Sequence, residues 1–231
     1  MNDLSVVIPA YKEKPEFLEE TYKHLTGLGA EVIIVDDGNH IDLECPHIWN
    51  VVNMGYGYSI KKGIQKATRP YVLTMDADGQ HTTEDAEKLY LVFKLIKDCS
   101  MLVGTRWNLN EKALRWIGRK AINFLGSLWA RHYLVDLNSG MRVFRRSVAL
   151  GYAPILCDTF SYTTSLTMCM VTDNYKVAYL PIDVRERNAG KSRVKLIRDG
   201  IVTVWFIFWI GFALRTRNMR EWKRRIAGQL T

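Results

Sequence analysis

The chain has 231 residues, 48% of them hydrophobic, which is the size and composition of one large α/β domain with a full core. Four cysteines, Cys45, Cys99, Cys157 and Cys169, show neither metal spacing nor a disulfide framework, and read as free, mostly buried thiols of a reducing compartment. The net charge of +8 is unevenly placed: residues 1–100 carry 10 basic and 16 acidic side chains, 101–146 carry 9 against 2, and 185–231 carry 12 against 3.

Such asymmetry turns the second half towards something anionic, whether nucleic acid, phosphates or lipid head groups. The plainer alternative is basic side chains scattered over a solvated surface. The opening MNDLSVVIPAY has no basic segment leading into a long apolar run, so no secretory signal is expected.

Leu4–Pro9 has strand composition. Pro15, followed by Glu16, Glu19 and Glu20, opens a helix that ends near Gly27-Leu28-Gly29. EVIIV (31–35) is the next strand and stops at Asp36-Asp37-Gly38. A weak strand around Val51-Val52 leads through Asn53–Gly57 to a helix over about 58–67. Residues 71–75 form another strand, ending in Asp76-Ala77-Asp78. Thr82 with Asp85 three residues on forms a capping box for a helix over about 83–97. Met101–Gly104 is a further strand.

Near-continuous apolar strands alternating with helices predict a mostly parallel sheet covered on both faces. Ligands of such sheets bind beyond the carboxyl ends of the strands, where Pro9–Tyr11, Asp36–Gly38, Asn53–Gly57 and Asp76–Asp78 all fall. Two carboxylates one residue apart would repel; a hard divalent cation reverses that, and Mg²⁺ or Mn²⁺ suits oxygen ligands. A solvated acidic turn is the bland alternative. Gly55-x-Gly57, with Asp76 some 21 residues on, also permits a dinucleotide fingerprint. Against that, Ile60 replaces the third glycine and Asp78 is left without a task.

Residues 111–132 carry Leu114, Ile117, Ala121, Phe124, Leu125, Leu128 and Trp129 at helical spacing, a stripe that reads as core. After Arg142–Phe144 come a helix near 161–173, a strand near 177–184 and the basic loop RNAGKSR (187–193). The run IVTVWFIFWIGFAL (201–214) has no charge. As a helix it would be about 21 Å long, short of the ~30 Å hydrocarbon core. Trp205 and Trp209 share one face, and RTRNMREWKRR follows with basic charge for anionic lipid. The expectation is a helix lying in or dipping into one leaflet, the alternative a helix packed on the domain or on a partner.

The motifs VVIPAYKE (6–13), IIVDDG (33–38), NMGYGYSIKKG (53–63), MDADGQH (75–81), VGTRW (103–107), RKAINFL (119–125), DLNSGMRVFRR (136–146), LPIDVRER (180–187) and RNAGKSR (187–193) together resemble family 2 glycosyltransferases. The likeness is to the branch of dolichol-phosphate mannose synthase and other polyprenyl-phosphate glycosyltransferases, and covers about residues 4–196. It implies a glycosyltransferase A-type fold for 1–196, with 197–231 as a membrane-associating segment, and a catalytic domain held at the membrane in the cytoplasm.

By position, the resemblance assigns Pro9, Tyr11, Glu13 and Asp37, with Asp76, Ala77 and Asp78, to the nucleotide sugar. Asp76, Asp78 and Gln80 would hold Mg²⁺ or Mn²⁺. Arg106, Arg119, Arg187 and Ser192 would grip the acceptor phosphate, for which arginine's planar fork is suited. Asp76, Asp78, Arg106 and Arg187 are then the catalytic candidates.

The expected reaction is metal-dependent, inverting transfer from GDP-mannose, or else UDP-glucose, to a dolichyl-type polyprenyl phosphate. Relatives often have a glutamate that falls by position at Ser165. A phosphate acceptor, ionised at neutral pH, needs no such base. A non-lipid acceptor is the alternative within the family. A basic nucleic-acid-binding module is disfavoured, because acidic strand ends would repel phosphate and no binding motif is present.

Overall fold

The computed structural model describes residues 1–106, 113–185 and 196–216. In chain order the elements are β1 (Leu4–Ala10), α1 (Pro15–Gly27), β2 (Glu31–Asp36), β3 (His47–Trp49), α2 (Tyr56–Lys66), β4 (Tyr71–Thr74), α3 (Thr83–Leu95) and β5 (Met101–Arg106). Then come α4 (Ala113–Ala130), β6 (Arg142–Arg145), α5 (Arg146–Tyr152), a 3₁₀ turn (Ala153–Ile155), α6 (Tyr162–Thr172), β7 (Val177–Ile182) and α7 (Leu196–Thr216).

Local chemistry explains several boundaries. Pro15 opens α1, where its missing N–H costs nothing. The Thr82 hydroxyl accepts the Asp85 N–H at 3.0 Å and donates to the Asp85 carboxylate at 2.9 Å, so the expected capping box starts α3. The third strand sits at 47–49 rather than 51–52. Its pairing ends where the Asn50 N–H reaches the Asp36 carbonyl at 2.8 Å, and the chain then bends so that Val51 and Val52 are exposed.

The seven strands lie in the order β3-β2-β1-β4-β6-β5-β7. All neighbours are parallel except β6, which is antiparallel to both β4 and β5. The chain runs outward from β1 to β3, then returns to place β4 on the other side of β1. The reversal between β1 and β4 is the switch point at which open sheets bind ligands. Pro9 is tolerated in this central strand because β4 pairs with β1 only as far as Val7↔Thr74. Antiparallel β6 brings the residues just before it, 139–141, back to the carboxyl end of β4.

Alternate residues of β1 feed two cores. Val7 packs with Ile60, Val103, Phe144, Tyr162 and Leu166 on one face, and Val6 and Ile8 with Leu18, Ile34, Leu73 and Leu89 on the other. All four cysteines are buried and free.

One expectation is overturned. Most of the stripe on α4 is not core: Ile117, Ala121, Phe124 and Leu128 are exposed, whereas Trp129 packs on the core and Leu125 is half-buried, and the Leu114 side chain lies outside the described residues. The helix docks by its narrower opposite side, through Ile122 and Gly126, where a Cβ on Gly126 would come within 2.6 Å of Leu137 Cδ1. α7 packs along α4 and α6, burying Thr203, Ile207 and Ile210. No helix among the described residues is long and apolar enough to cross a membrane.

Candidate active site

The ends of β1 and β2 are tied together by the Asp37 N–H, which donates to the Ala10 carbonyl at 2.8 Å. Pro9 is buried in β1, and Tyr11 and Glu13 follow it, half-buried at the same sheet edge. The Asp37 side chain turns inward. Its Oδ1 accepts from Asn50 Nδ2 (2.9 Å) and Met54 N (2.8 Å), and its Oδ2 from Gly55 N (2.9 Å). Three N–H donors on one carboxylate fix the loop that leads into α2.

That loop explains the two glycines. Gly55 has φ +105°, and a Cβ there would meet the Asp158 carbonyl at 2.6 Å; on Gly57 it would meet the Cys157 carbonyl at 2.2 Å. The Tyr58 N–H donates to the Asp158 carbonyl at 3.1 Å. The start of α2 is therefore filled by carbonyls of this chain, where a dinucleotide would need it open for its pyrophosphate. The dinucleotide reading falls on this geometry.

Asp76 lies at the carboxyl end of β4. Its Oδ1 accepts from the Tyr56 hydroxyl at 2.7 Å, and its Oδ2 lies 3.7 Å from His81 Nε2. Burial pushes the Asp76 carboxyl up, but His81, the Tyr56 hydroxyl and Arg106 outweigh it and hold the group below its ordinary value. Burial and the Asp76 charge both push the Tyr56 phenol well up, so it remains a donor. Gly140 supports the carboxylate from beneath: a Cβ there would sit 2.2 Å from Asp76 Oδ2. Ala77 is buried, and Asp78 follows half-buried, with its Oδ1 accepting the Gln80 N–H at 3.1 Å.

Opposite this acidic group stands a clamped cation. Arg106, last residue of β5, donates from Nε to Asp136 Oδ2 (2.8 Å) and from Nη2 to Asp136 Oδ1 (2.5 Å), while its backbone N–H also reaches Oδ2 (3.0 Å). Asp136 is 1% exposed. Burial raises its carboxyl, but Arg106, and at longer range Arg119, hold it below the ordinary value. Arg119 is half-exposed on α4. So the structure brings Asp76, Asp78, Gln80, Arg106 and Arg119 to one side of the sheet. Arg187 and Ser192 lie outside the described residues.

Ser165 is elsewhere. It is buried within α6, donates to the Tyr162 carbonyl at 2.8 Å and accepts the Cys157 N–H at 3.4 Å. Among the described residues no three His, Cys, Asp or Glu side chains are grouped to enclose a metal. Asp76 and Asp78 fit instead a hard cation that takes few protein ligands and completes its shell with waters and phosphate oxygens.

Sequence reasoning missed Tyr56, His81, Asp136 and the underside role of Gly140. Their signal lay inside quoted motifs, but their partners lie elsewhere in the sequence, from His81 and Asp76 five residues apart to Gly140 and Asp76 64 apart, and no spacing rule reports such pairs. Phe160 was missed too; it stacks on Tyr56 with ring centroids 5.2 Å apart.

Residues 5–151 match the family described as Glycosyl transferase family 2. The chain belongs to that family. Among its relatives, a dolichyl-phosphate beta-glucosyltransferase of Trichomonas vaginalis is 32% identical over 221 residues, covering 83% of this chain and 68% of that protein. An undecaprenyl-phosphate 4-deoxy-4-formamido-L-arabinose transferase of Pectobacterium atrosepticum is 29% identical over 192 residues, covering 71% and 58%. An uncharacterized protein of Methanocaldococcus jannaschii is 30% identical, covering 64% and 67%. The match thus spans about 58 to 68% of these relatives' lengths. In fold, this family 2 member is similar to glucosyl-3-phosphoglycerate synthase of Mycobacterium tuberculosis, solved with Mn²⁺, UDP-glucose and phosphoglyceric acid. The TM-score is 0.72 at 14% identity, covering 91% of this chain and 80% of that one. The fold is glycosyltransferase A-like, with a mostly parallel sheet.

Proposed function

We propose that this chain transfers a hexose-type sugar from a nucleotide sugar to a polyprenyl phosphate in one inverting, metal-dependent displacement at a membrane surface. The observation that carries the reading is the placing of Asp76 and Asp78, beside the sheet's switch point, opposite a clamped Arg106 on the far side of β6. The named relatives that act on dolichyl and undecaprenyl phosphates give that pairing its substrate class.

In this reading Asp76, Asp78 and Gln80 hold Mg²⁺ or Mn²⁺, and Pro9, Tyr11, Glu13, Asp37 and Ala77 bound the nucleotide end. When bound, the cation neutralises charge that grows on the departing nucleoside diphosphate. The chain's own groups set the geometry. Tyr56 donates to Asp76 and fixes the direction of its carboxylate. Asp136 takes one edge of the Arg106 guanidinium and so aims the rest of it. Arg106 and Arg119, with Arg187 and Ser192, orient the acceptor phosphate behind the anomeric carbon.

No protein base is required of this arrangement. A phosphate monoester has its second pKa near 6 and is largely ionised at neutral pH. Its oxygen attacks the anomeric carbon as the bond to the diphosphate oxygen breaks, and the leaving group departs with that electron pair. A serine buried at position 165 fits such an acceptor. Residues 1–196 make up the catalytic part, and 197–231 associate with the membrane. The glucosyl and arabinose names of the relatives move the weight from mannose towards another sugar, such as the glucose of UDP-glucose.

The test is transfer from UDP-glucose, GDP-mannose and related donors to undecaprenyl and dolichyl phosphates, with Mn²⁺ or Mg²⁺ and with chelator. Chelator-sensitive formation of a polyprenyl-phosphate sugar is the expected result. Turnover confined to a water-soluble acceptor such as phosphoglycerate would place the chain elsewhere in its family.

A further inference from the structure

The residues between the 3₁₀ turn and α6 cross the start of α2 as a strap fastened at both ends. Near its beginning, Lys61 Nζ pairs with the Asp158 carboxylate at 2.5 Å and donates to the Leu156 carbonyl at 3.2 Å. The Tyr58 N–H holds the Asp158 carbonyl, and Gly55 and Gly57 let the strap approach too closely for any side chain beneath it. At its end the Tyr162 N–H donates to the Thr159 carbonyl at 3.0 Å. There the buried Ser161 and Thr203 hydroxyls, 2.8 Å apart, join the strap to α7.

Between these anchors stands Phe160. Its ring is 40% exposed, so core packing does not account for its place. What it covers is Tyr56: the two rings stack with centroids 5.2 Å apart and planes 22° apart. Rings so arranged attract one another beyond the area that they bury. Tyr56 in turn donates its hydroxyl to Asp76 Oδ1 at 2.7 Å. A phenol is free to turn about two side-chain bonds, and here its tip is fixed by Asp76 and its face by Phe160. The tie matters most before a cation arrives. Asp76 and Asp78 are like charges two residues apart, and without a restraint their carboxylates would turn away from each other. A carboxylate already held in place takes its ligand at a smaller ordering cost.

We propose that Phe160 is a positioning residue for the cation site, holding Tyr56 onto Asp76, and that α7 secures it through the Ser161–Thr203 hydroxyl pair. The helix at the far end of the chain thus takes part in holding the carboxylate at the end of β4. Three contacts connect them: hydroxyl to hydroxyl, ring to ring, and phenol to carboxylate. The inference rests on the reading of Asp76 and Asp78 as cation ligands, but the contact between the two rings is measurable without a cation.

The experiment is titration of the full chain with Mn²⁺, followed by the electron paramagnetic resonance of the free ion, with a thermal melt of every variant. Phe160→Leu should raise the Mn²⁺ dissociation constant by about three- to tenfold, the worth of an aromatic pair. Phe160→Tyr keeps the ring and should stay within about twofold of the unaltered chain. Thr203→Val removes the hydroxyl pair and should raise the constant by about twofold or more. In a Tyr56→Phe background Phe160→Leu should change nothing further, because the hydroxyl through which it acts is gone. An unchanged constant in Phe160→Leu overturns the proposal. So does an equal further loss in the Tyr56→Phe background, because the strap then only packs α6 against α2. If Phe160→Leu does not melt cooperatively, an unchanged constant in Thr203→Val is the overturning result. The metal-free protein gives a separate reading: Phe160→Leu should perturb the near-ultraviolet tyrosine spectrum, and not in the Tyr56→Phe background. That spectral result in a chain that takes up no Mn²⁺ leaves the hold of Phe160 on Tyr56 standing and sinks the cation reading instead.

Discussion

Gly140→Ala isolates the support beneath Asp76. The added Cβ would lie 2.2 and 2.4 Å from the two Asp76 carboxylate oxygens, whereas ordinary contact begins at 3.4 Å. The carboxylate must therefore retreat by about 1.2 Å. The clashing atoms are the end of a side chain rather than backbone, and Gly140 has no positive φ, so the fold can absorb the change. The site cannot absorb it as well. The Tyr56 hydroxyl bond at 2.7 Å breaks or stretches, and the metal-binding oxygens leave their place. A displacement near 1 Å costs about a hundredfold in rate, or about 2.7 kcal/mol of barrier. The assay is transfer of radiolabelled sugar at saturating acceptor over a Mn²⁺ titration, with a thermal melt alongside. We expect a rate loss of that order, a higher Mn²⁺ requirement and a melting temperature within a few degrees of the unaltered chain. Turnover within about threefold at the same Mn²⁺ would refute the idea that Gly140 sets the position of Asp76.

Asp78→Ala should abolish transfer in a protein that still melts cooperatively, since a half-buried loop carboxylate adds little to the core; retained turnover in the folded variant removes Asp78 from the metal site. Asp136→Asn should cost about 2 kcal/mol in urea unfolding at neutral pH, because a buried partner of Arg106 loses its charge. Asp136 is held below its ordinary value of 3.8, so its contribution is full above that pH and is lost as pH falls through the lowered value. The unaltered chain should thus lose stability below about pH 4 more steeply than Asp136→Asn, and parallel acid limbs would contradict this. Deleting residues 200–231 removes buried Ile207 and Ile210, worth about 1.5–3 kcal/mol each, so the truncated chain should unfold at much lower urea. An unchanged midpoint would mean that α7 is dispensable to the core.

What could be read in the sequence was local. Strands β1, β2 and β4 are apolar runs that stop abruptly at polar residues, so their carboxyl ends at Tyr11, Asp37 and Asp76 were legible without coordinates. The α3 start was legible too, because Thr82 and Asp85 lie within one turn. The α4 stripe was visible, but periodicity shows only that a helix has an apolar side, and that side faces outward here. Gly55 and Gly57 were misleading for a different reason. The atoms that forbid a side chain there belong to Cys157 and Asp158, a hundred residues away. Asp136 stood inside the motif DLNSGMRVFRR, but its role depends on β6 folding back antiparallel between β4 and β5, which no local pattern reports.

Arg142 shows how such distant parts are held to one geometry. It is fully buried, and among the described residues no carboxylate pairs with it, an arrangement that is unfavourable unless every donor is satisfied. Here its Nε donates to the Ser139 carbonyl at 3.1 Å, and Nη1 donates to the Thr163 carbonyl and Thr167 hydroxyl, both at 2.8 Å. Nη2 donates to the Leu137 carbonyl at 3.2 Å and again to Ser139. These acceptors occupy all five of its N–H groups. Two of the carbonyls lie in the segment 136–140, which Ser139 also fastens to the Gly104 carbonyl at 2.6 Å. At one end of that segment Asp136 clamps Arg106, and at the other Gly140 supports Asp76. A single buried cation therefore fixes the spacing between the acidic and basic sides of the site. Neutral carbonyls suit that task better than a carboxylate would, because they leave no competing anion beside the place proposed for the phosphates.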